Sequence, residues 1–174
     1  HVPKDLEVGD LDARLAAFAR RRGVPAPWVG LLTSAWTEKA EVADASARGI
    51  TALAVVTVGL SNRVAAGVDG AAAWAPSTIN TVVVVDAAPE PAAMVNAVIT
   101  ATEVKTALLA EAGVKCDAGL LASGTSTDAV VVAATGNGRA CRFGGPVSEL
   151  GSVVARAVRA AMGRGIVRWL EDHA

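Results

Sequence analysis

Residues 123–128 place Ser123, Gly124, Thr125, Ser126, Thr127 and Asp128 in succession between two apolar runs. Such a loop can offer backbone N–H groups to a developing oxyanion, and a hydroxyl as nucleophile or water-orienting group. Asp128 can act as a general base or hold a cation in place. The same residue types also build an ordinary turn whose Asp and Thr side chains satisfy turn amides, and the residues alone leave both readings open. A second unusual residue lies upstream. On a helix, where successive residues turn by about 100°, Met94, Val95, Val98, Ile99, Ala101, Leu108 and Leu109 fall on one arc, with Lys105 near its centre. Asn96, Thr100 and Glu103 fall on the opposite side. An ammonium on an apolar face must pair, snorkel or lose its proton, because an unpaired buried charge is costly. Asp128 is the first candidate partner. The alternative is a stem that covers the core edge while the amine reaches water. Glu103 is two residues from Lys105, does not face it, and reads as a solvated face residue.

Other polar groups sit at predicted strand ends. Asn62 follows Ser61 at one end, and Asn80 opens the next strand beside Thr78. Their amides can bind a ligand's donors and acceptors or cap the strands themselves. Trp28, Trp36 and Trp74 lie near loops, Trp74 within an apolar stretch; indoles there can contact a large flat ligand or fill the core. Glu149 reads as a first-turn carboxylate favoured by the helix dipole. His1 and His173 stand at opposite ends, and Cys116 and Cys141 have no metal-ligand spacing, so no metal centre is expected. Two unpaired cysteines fit a reduced cytoplasm.

The elements that must position these groups follow from period and punctuation. The spacing of Leu11, Leu15 and Phe18 predicts a helix over 10–22, capped by Asp10 and closed at Gly23. Apolar or β-branched runs predict strands at 29–33, 50–58 and 79–86. Residues 89–113 form a long helix that starts at prolines and ends at Gly113. Strands at 119–122 and 128–134 have a link too short for a parallel crossover, which predicts a hairpin. A last helix over 148–169 breaks around Gly163 and Gly165. Short links followed by long helices give an α+β layered class, with a largely antiparallel or mixed sheet packed by two long helices.

Composition narrows the function classes. The chain has 174 residues, 52% of them hydrophobic and 19% charged, and a chain of this size folds as one domain without staples. A formal net charge of −1 gives no basic surface for nucleic acid or anionic lipid. The most apolar run, 79–88, is far shorter than the roughly 20 residues that cross a bilayer, so a soluble protein is expected. No basic n-region or apolar h-region marks a secretory signal at His1.

Several segments, in order, resemble one known family. They are His1-Val2-Pro3-Lys4-Asp5, Val29-Gly30-Leu31-Leu32-Thr33-Ser34-Ala35, Thr57-Val58-Gly59-Leu60-Ser61-Asn62, Ser77-Thr78-Ile79-Asn80, Thr102-Glu103-Val104-Lys105-Thr106, Gly124-Thr125-Ser126-Thr127-Asp128 with the apolar run after it, and Gly145-Pro146-Val147-Ser148-Glu149-Leu150-Gly151. Their joint order over almost the whole chain resembles the adenosylcobinamide amidohydrolase (CbiZ) family. Glycine is usual there where Ser77 and Ser126 stand, and alanine where Val104 stands. The resemblance implies hydrolysis of the amide joining aminopropanol to a corrin propionate side chain, giving adenosylcobyric acid in corrinoid salvage. It implies Lys105, Asp128, Thr125 and Glu103 as catalytic residues. It also implies Asn62, Asn80, Thr78, Ser126, Thr127 and Trp74 as contacts to a small-molecule corrinoid substrate, with no separate cofactor. The family pattern starts upstream of His1, so a preceding segment is expected. A non-catalytic corrinoid binder and a hydrolase of a different amide are the alternative readings, and homo-oligomerisation stays open.

Overall fold

A computed structural model describes residues 1–2, 9–68, 70 and 77–174. Local sequence sets the helix ends. Helix α1 (Leu11–Arg22) starts where the Asp10 carboxylate accepts the Ala13 N–H at 2.9 Å and stops at Gly23, whose φ is 65°. Helix α2 (Pro91–Glu111) opens on its proline. Helix α3 (Glu149–Glu171) is capped by Ser148 Oγ, which accepts the Gly151 N–H at 3.0 Å, and it runs unbroken through Gly163 and Gly165. The expected break is absent because the two glycines keep helical hydrogen bonding and face neighbouring elements.

The main sheet begins with a hairpin that the sequence reading missed. Strands β1 (Glu41–Ala47) and β2 (Ile50–Val58) are joined by Arg48 and Gly49, with φ of 53° and 77°; positive φ at both residues is what a two-residue type I′ turn needs. Strand β3 (Arg63–Val64) lies outside this sheet. Strand β4 (Ile79–Asp86) pairs antiparallel with β2 and is followed by the short β5 (Ala88–Pro89). After α2 come β6 (Gly124–Thr125), β7 (Ala129–Ala134) and β8 (Ala140–Cys141). The sheet order is β1-β2-β4-β7, with β7 parallel to β4; β3 pairs antiparallel with β6, and β5 parallel with β8. The mixed sheet and two long helices give the expected α+β class.

Two strand predictions are corrected. Residues 119–122 form no hairpin with β7: Leu121 bridges back to Lys115, and Gly124–Thr125 pairs with β3 instead. Strand β7 reaches β4 through the α2 crossover, so the short link never joins two adjacent strands. Residues 29–33 form a loop against α1, where a Cβ on Gly30 would stand 2.8 Å from a Leu15 methyl. Their carbonyls take single bonds from Val2 N–H to Thr33 O (2.7 Å) and from Asn80 Nδ2 to Leu32 O (2.8 Å) in place of a strand ladder.

One sheet face holds the layers together. Ile50, Ala52, Ala54 and Val56 of β2 and Ile79, Val83 and Val85 of β4 are at most 1% exposed, and α3 covers them. Full burial of a side chain as large as Val or Ile contributes about 1.5–3 kcal/mol, whereas an exposed pair such as Arg159–Glu111 is screened by solvent and adds little. Apolar burial therefore decides. The buried side of α2 is rotated from the expected arc: Ala93, Ala97, Thr100, Ala101, Lys105 and Leu109 are inside, while Val95 and Ile99 are exposed. Small residues occupy that side because neighbours approach closely; a Cβ on Gly144 would clash with the Ala93 carbonyl. Helix α2, with 21 residues and a mean hydropathy of 1.3, has the length and composition of a bilayer-crossing helix, which the shorter apolar runs do not show. Its inner side is taken by α3 and β7.

This architecture brings several element ends together. The C-terminal end of β2 meets the N-terminal end of β4 (Val58 opposite Ile79), which lies beside the start of β7 (Asn80 opposite Ala129). The last turns of α3 close over them at Gly165 and Val58.

Candidate active site

The turn between β6 and β7 is organised by one carboxylate. Asp128 Oδ2 accepts the Lys105 ammonium at 2.5 Å and the Thr125 N–H at 3.0 Å. Its Oδ1 accepts the Ile79 N–H at 2.9 Å and the Thr125 hydroxyl in a short hydrogen bond. These four donors fill the lone-pair sites of a carboxylate. The Lys105 and Asp128 side chains are each 10% exposed, so the ammonium on the inner side of α2 finds the expected acceptor. Gly124 makes the approach feasible, since a Cβ there would fall 2.6 Å from Lys105 Nζ and closer still to Asp128. The turn also leaves the Ser126 and Thr127 N–H groups without a hydrogen-bond partner among the described residues.

Reciprocal bonds tie this turn to the start of β4. Thr78 Oγ donates to Thr127 O at 2.7 Å, and Thr127 Oγ donates to Ser77 O at 2.9 Å. Asn80 donates to Leu32 O, which draws the 30–34 loop over the sheet end. Between that loop, α1 and the strand ends lies a mainly apolar cavity of about 790 Å³, whose lining includes Thr78, Asn80, Thr127 and Ser77. A second cavity of about 330 Å³ meets it at Ser34 and Ser77 and is lined by Trp36, Lys39, Ser61, Arg168, Trp169 and His173 among others. The hydrogen bond from Lys39 at 2.7 Å holds the carboxyl of Asp172, on its rim, below its ordinary pKa. Lys105 and Asp128 line neither cavity. Of the turn above them, Thr127 lines the larger cavity, whereas Thr125 and Ser126 line neither.

The sequence-predicted residues thus divide. Lys105, Asp128 and Thr125 converge, and Thr78, Asn80 and Thr127 line the larger cavity beside them. Asn62 Nδ2 donates to Ser126 Oγ at 2.7 Å, which places both on the exposed side of the turn. Glu103 does not join the group: it is exposed on the outer side of α2, beside Val98, Ile99 and Thr106. Its helical phase, two residues from Lys105, puts it there. Trp74 lies outside the described residues. Sequence reasoning missed Gly124, whose signal was a glycine directly before the hydroxyl run, and Ser77, whose Oγ accepts the Ser61 N–H at 2.9 Å in space left by Gly59. Burial raises the pKa of the Cys141 thiol, which keeps it protonated and weakly nucleophilic.

A family model described as adenosylcobinamide amidohydrolase matches residues 1–174. A curated relative, the adenosylcobinamide amidohydrolase of Halobacterium salinarum, is 35% identical over 159 residues, covering 86% of this chain and 62% of the relative. The chain therefore spans less than two thirds of that relative's length. No solved structure matches it.

Proposed function

Because this chain belongs to the adenosylcobinamide amidohydrolase family, we propose that it hydrolyses the secondary amide joining aminopropanol to a propionate side chain of the corrin ring. The products are the free amine and adenosylcobyric acid, the corrinoid is substrate rather than cofactor, and the reaction serves corrinoid salvage. The two unpaired cysteines suit a cytoplasmic setting.

The observation that carries the reading is the Thr125 hydroxyl donating to a carboxylate that Lys105 locks in place. Thr125 Oγ attacks the scissile carbonyl carbon while its proton passes along that hydrogen bond to Asp128 Oδ1. Negative charge builds on the carbonyl oxygen, where the Ser126 and Thr127 N–H groups of the turn, without a partner among the described residues, can receive it. The C–N bond then breaks, and the leaving amine takes the proton from Asp128. Water then attacks the resulting Thr125 ester while its proton passes to Asp128; the C–O bond to Thr125 breaks, Asp128 returns that proton to Thr125 Oγ, and the carboxylic acid product leaves. Lys105 acts through Asp128, pairing with the carboxylate and keeping it aimed at Thr125. The two neighbouring cavities, the larger mainly apolar with the polar groups of Thr78 and Thr127 and the smaller more polar with Ser61, suit a large, partly apolar ring rimmed by carboxamides.

Incubation with adenosylcobinamide tests this directly. The expected result is aminopropanol released in step with a corrinoid carboxylic acid. A corrin spectral shift without amine release would make the protein a binder, and cleavage of other amides alone would make it a different hydrolase.

A further inference from the structure

We infer that Arg63 is a catalytic residue of this site, the cation that meets negative charge building on the scissile carbonyl oxygen. The inference rests on the amide-hydrolysis reading above. In the β3–β6 ladder Arg63 is directly opposite Thr125, and directly opposed residues of an antiparallel pair send their side chains to the same face, with Cβ atoms about 4.5–5.5 Å apart. The strand is clamped on both sides of Arg63. Asn62 Nδ2 donates to Ser126 Oγ at 2.7 Å, and Val64 O accepts the Ser123 N–H at 2.9 Å. The guanidinium thus leaves the backbone at a fixed point beside the proposed nucleophile.

Arg63 is also uncommitted among the described residues. Its Nε is buried with no hydrogen-bond partner among them, and it forms no ion pair with a described carboxylate. Arg48, Arg139, Arg159, Arg164 and Arg168 all pair with glutamates, and Lys105 is taken by Asp128. A buried donor left unmade costs stability, and here its acceptor is the oxyanion that forms as Thr125 attacks. The ground-state amide is neutral, whereas the tetrahedral state formed by Thr125 carries a full charge on oxygen. The guanidinium therefore binds the transition state more strongly than the substrate, and its loss falls on kcat rather than KM.

The test compares Arg63→Met and Arg63→Lys with the wild-type protein on adenosylcobinamide, with the melting temperature of each recorded. We expect Arg63→Met to lose about a hundredfold to a thousandfold in kcat at nearly constant KM. Arg63→Lys should recover part of this, because it keeps the charge but not the planar fork, and added guanidinium ion should partly rescue the methionine variant. Three results would overturn the role: unchanged kcat, a loss confined to KM, or a kcat loss that tracks a fall in melting temperature and resists guanidinium. A wild-type protein that releases no aminopropanol refutes the underlying reading instead, and the two failures are told apart by that control.

Discussion

At Asp128 four donors meet one buried carboxylate, and only one of them, Lys105, carries charge. Removing one partner of a buried ion pair typically costs about 3–5 kcal/mol, since the other charge is stranded, whereas removing both can be far cheaper. Lys105→Met should therefore lose both stability and turnover. Combining it with Asp128→Asn should restore part of the stability in urea unfolding, while turnover stays down by a hundredfold or more. A double variant no more stable than the single would show that the pair is not the unit described. This pairing was legible in the sequence because an ammonium on an apolar helix side needs an acceptor, and the hydroxyl turn offered the carboxylate. Thr125 was legible only as one hydroxyl among several; that it, and not Ser126 or Thr127, meets Asp128 depends on the turn's backbone path. Glu103 was named through family resemblance, and helical phase turns it away.

Along α3, two glycines of the same helix have opposite surroundings. A Cβ on Gly165 would stand 2.7 Å from Val58 Cγ2, at the sheet end that carries the site, whereas one on Gly163 would meet only Leu108 Cδ2 at 3.8 Å. Alanine is favoured over glycine in a helix interior by roughly 1 kcal/mol, while forcing extra volume into a close contact costs about 1–3 kcal/mol. Gly163→Ala should accordingly stabilise the protein by up to about 1 kcal/mol, and Gly165→Ala should be neutral to destabilising by up to about 2 kcal/mol. Chemical denaturation of the two variants measures both, and equal shifts of one sign would contradict the close approach of α3 to β2. Element boundaries were legible where punctuation was strong: the Asp10 and Gly23 ends of α1 and the strands at Ile50–Val58 and Ile79–Asp86. Strand β1 was missed because its Ala, Asp and Ser residues lack strand propensity, and its pairing comes from the Arg48-Gly49 turn and from α3 covering its inner face. The false hairpin arose from judging 119–122 and 128–134 by adjacency in sequence, when β4 and α2 supply the neighbour for β7.

Across the molecule, a mixed sheet collects the end of β2 and the starts of β4 and β7 at one edge, and α1, the 30–34 loop and the last turns of α3 wall the space above it. Apolar burial on the opposite side of the strands keeps that edge in register. The central claim is that the Thr125 hydroxyl, held by Asp128, performs the amide cleavage. The most direct measurement is the rate of aminopropanol release from adenosylcobinamide by Thr125→Ser and Thr125→Ala beside the wild-type protein, with melting temperatures recorded. Serine keeps the nucleophilic oxygen and should retain activity within about tenfold, whereas alanine should lose roughly a hundredfold to ten-thousandfold with little change in melting temperature. An alanine variant that releases aminopropanol at the wild-type rate would contradict the account.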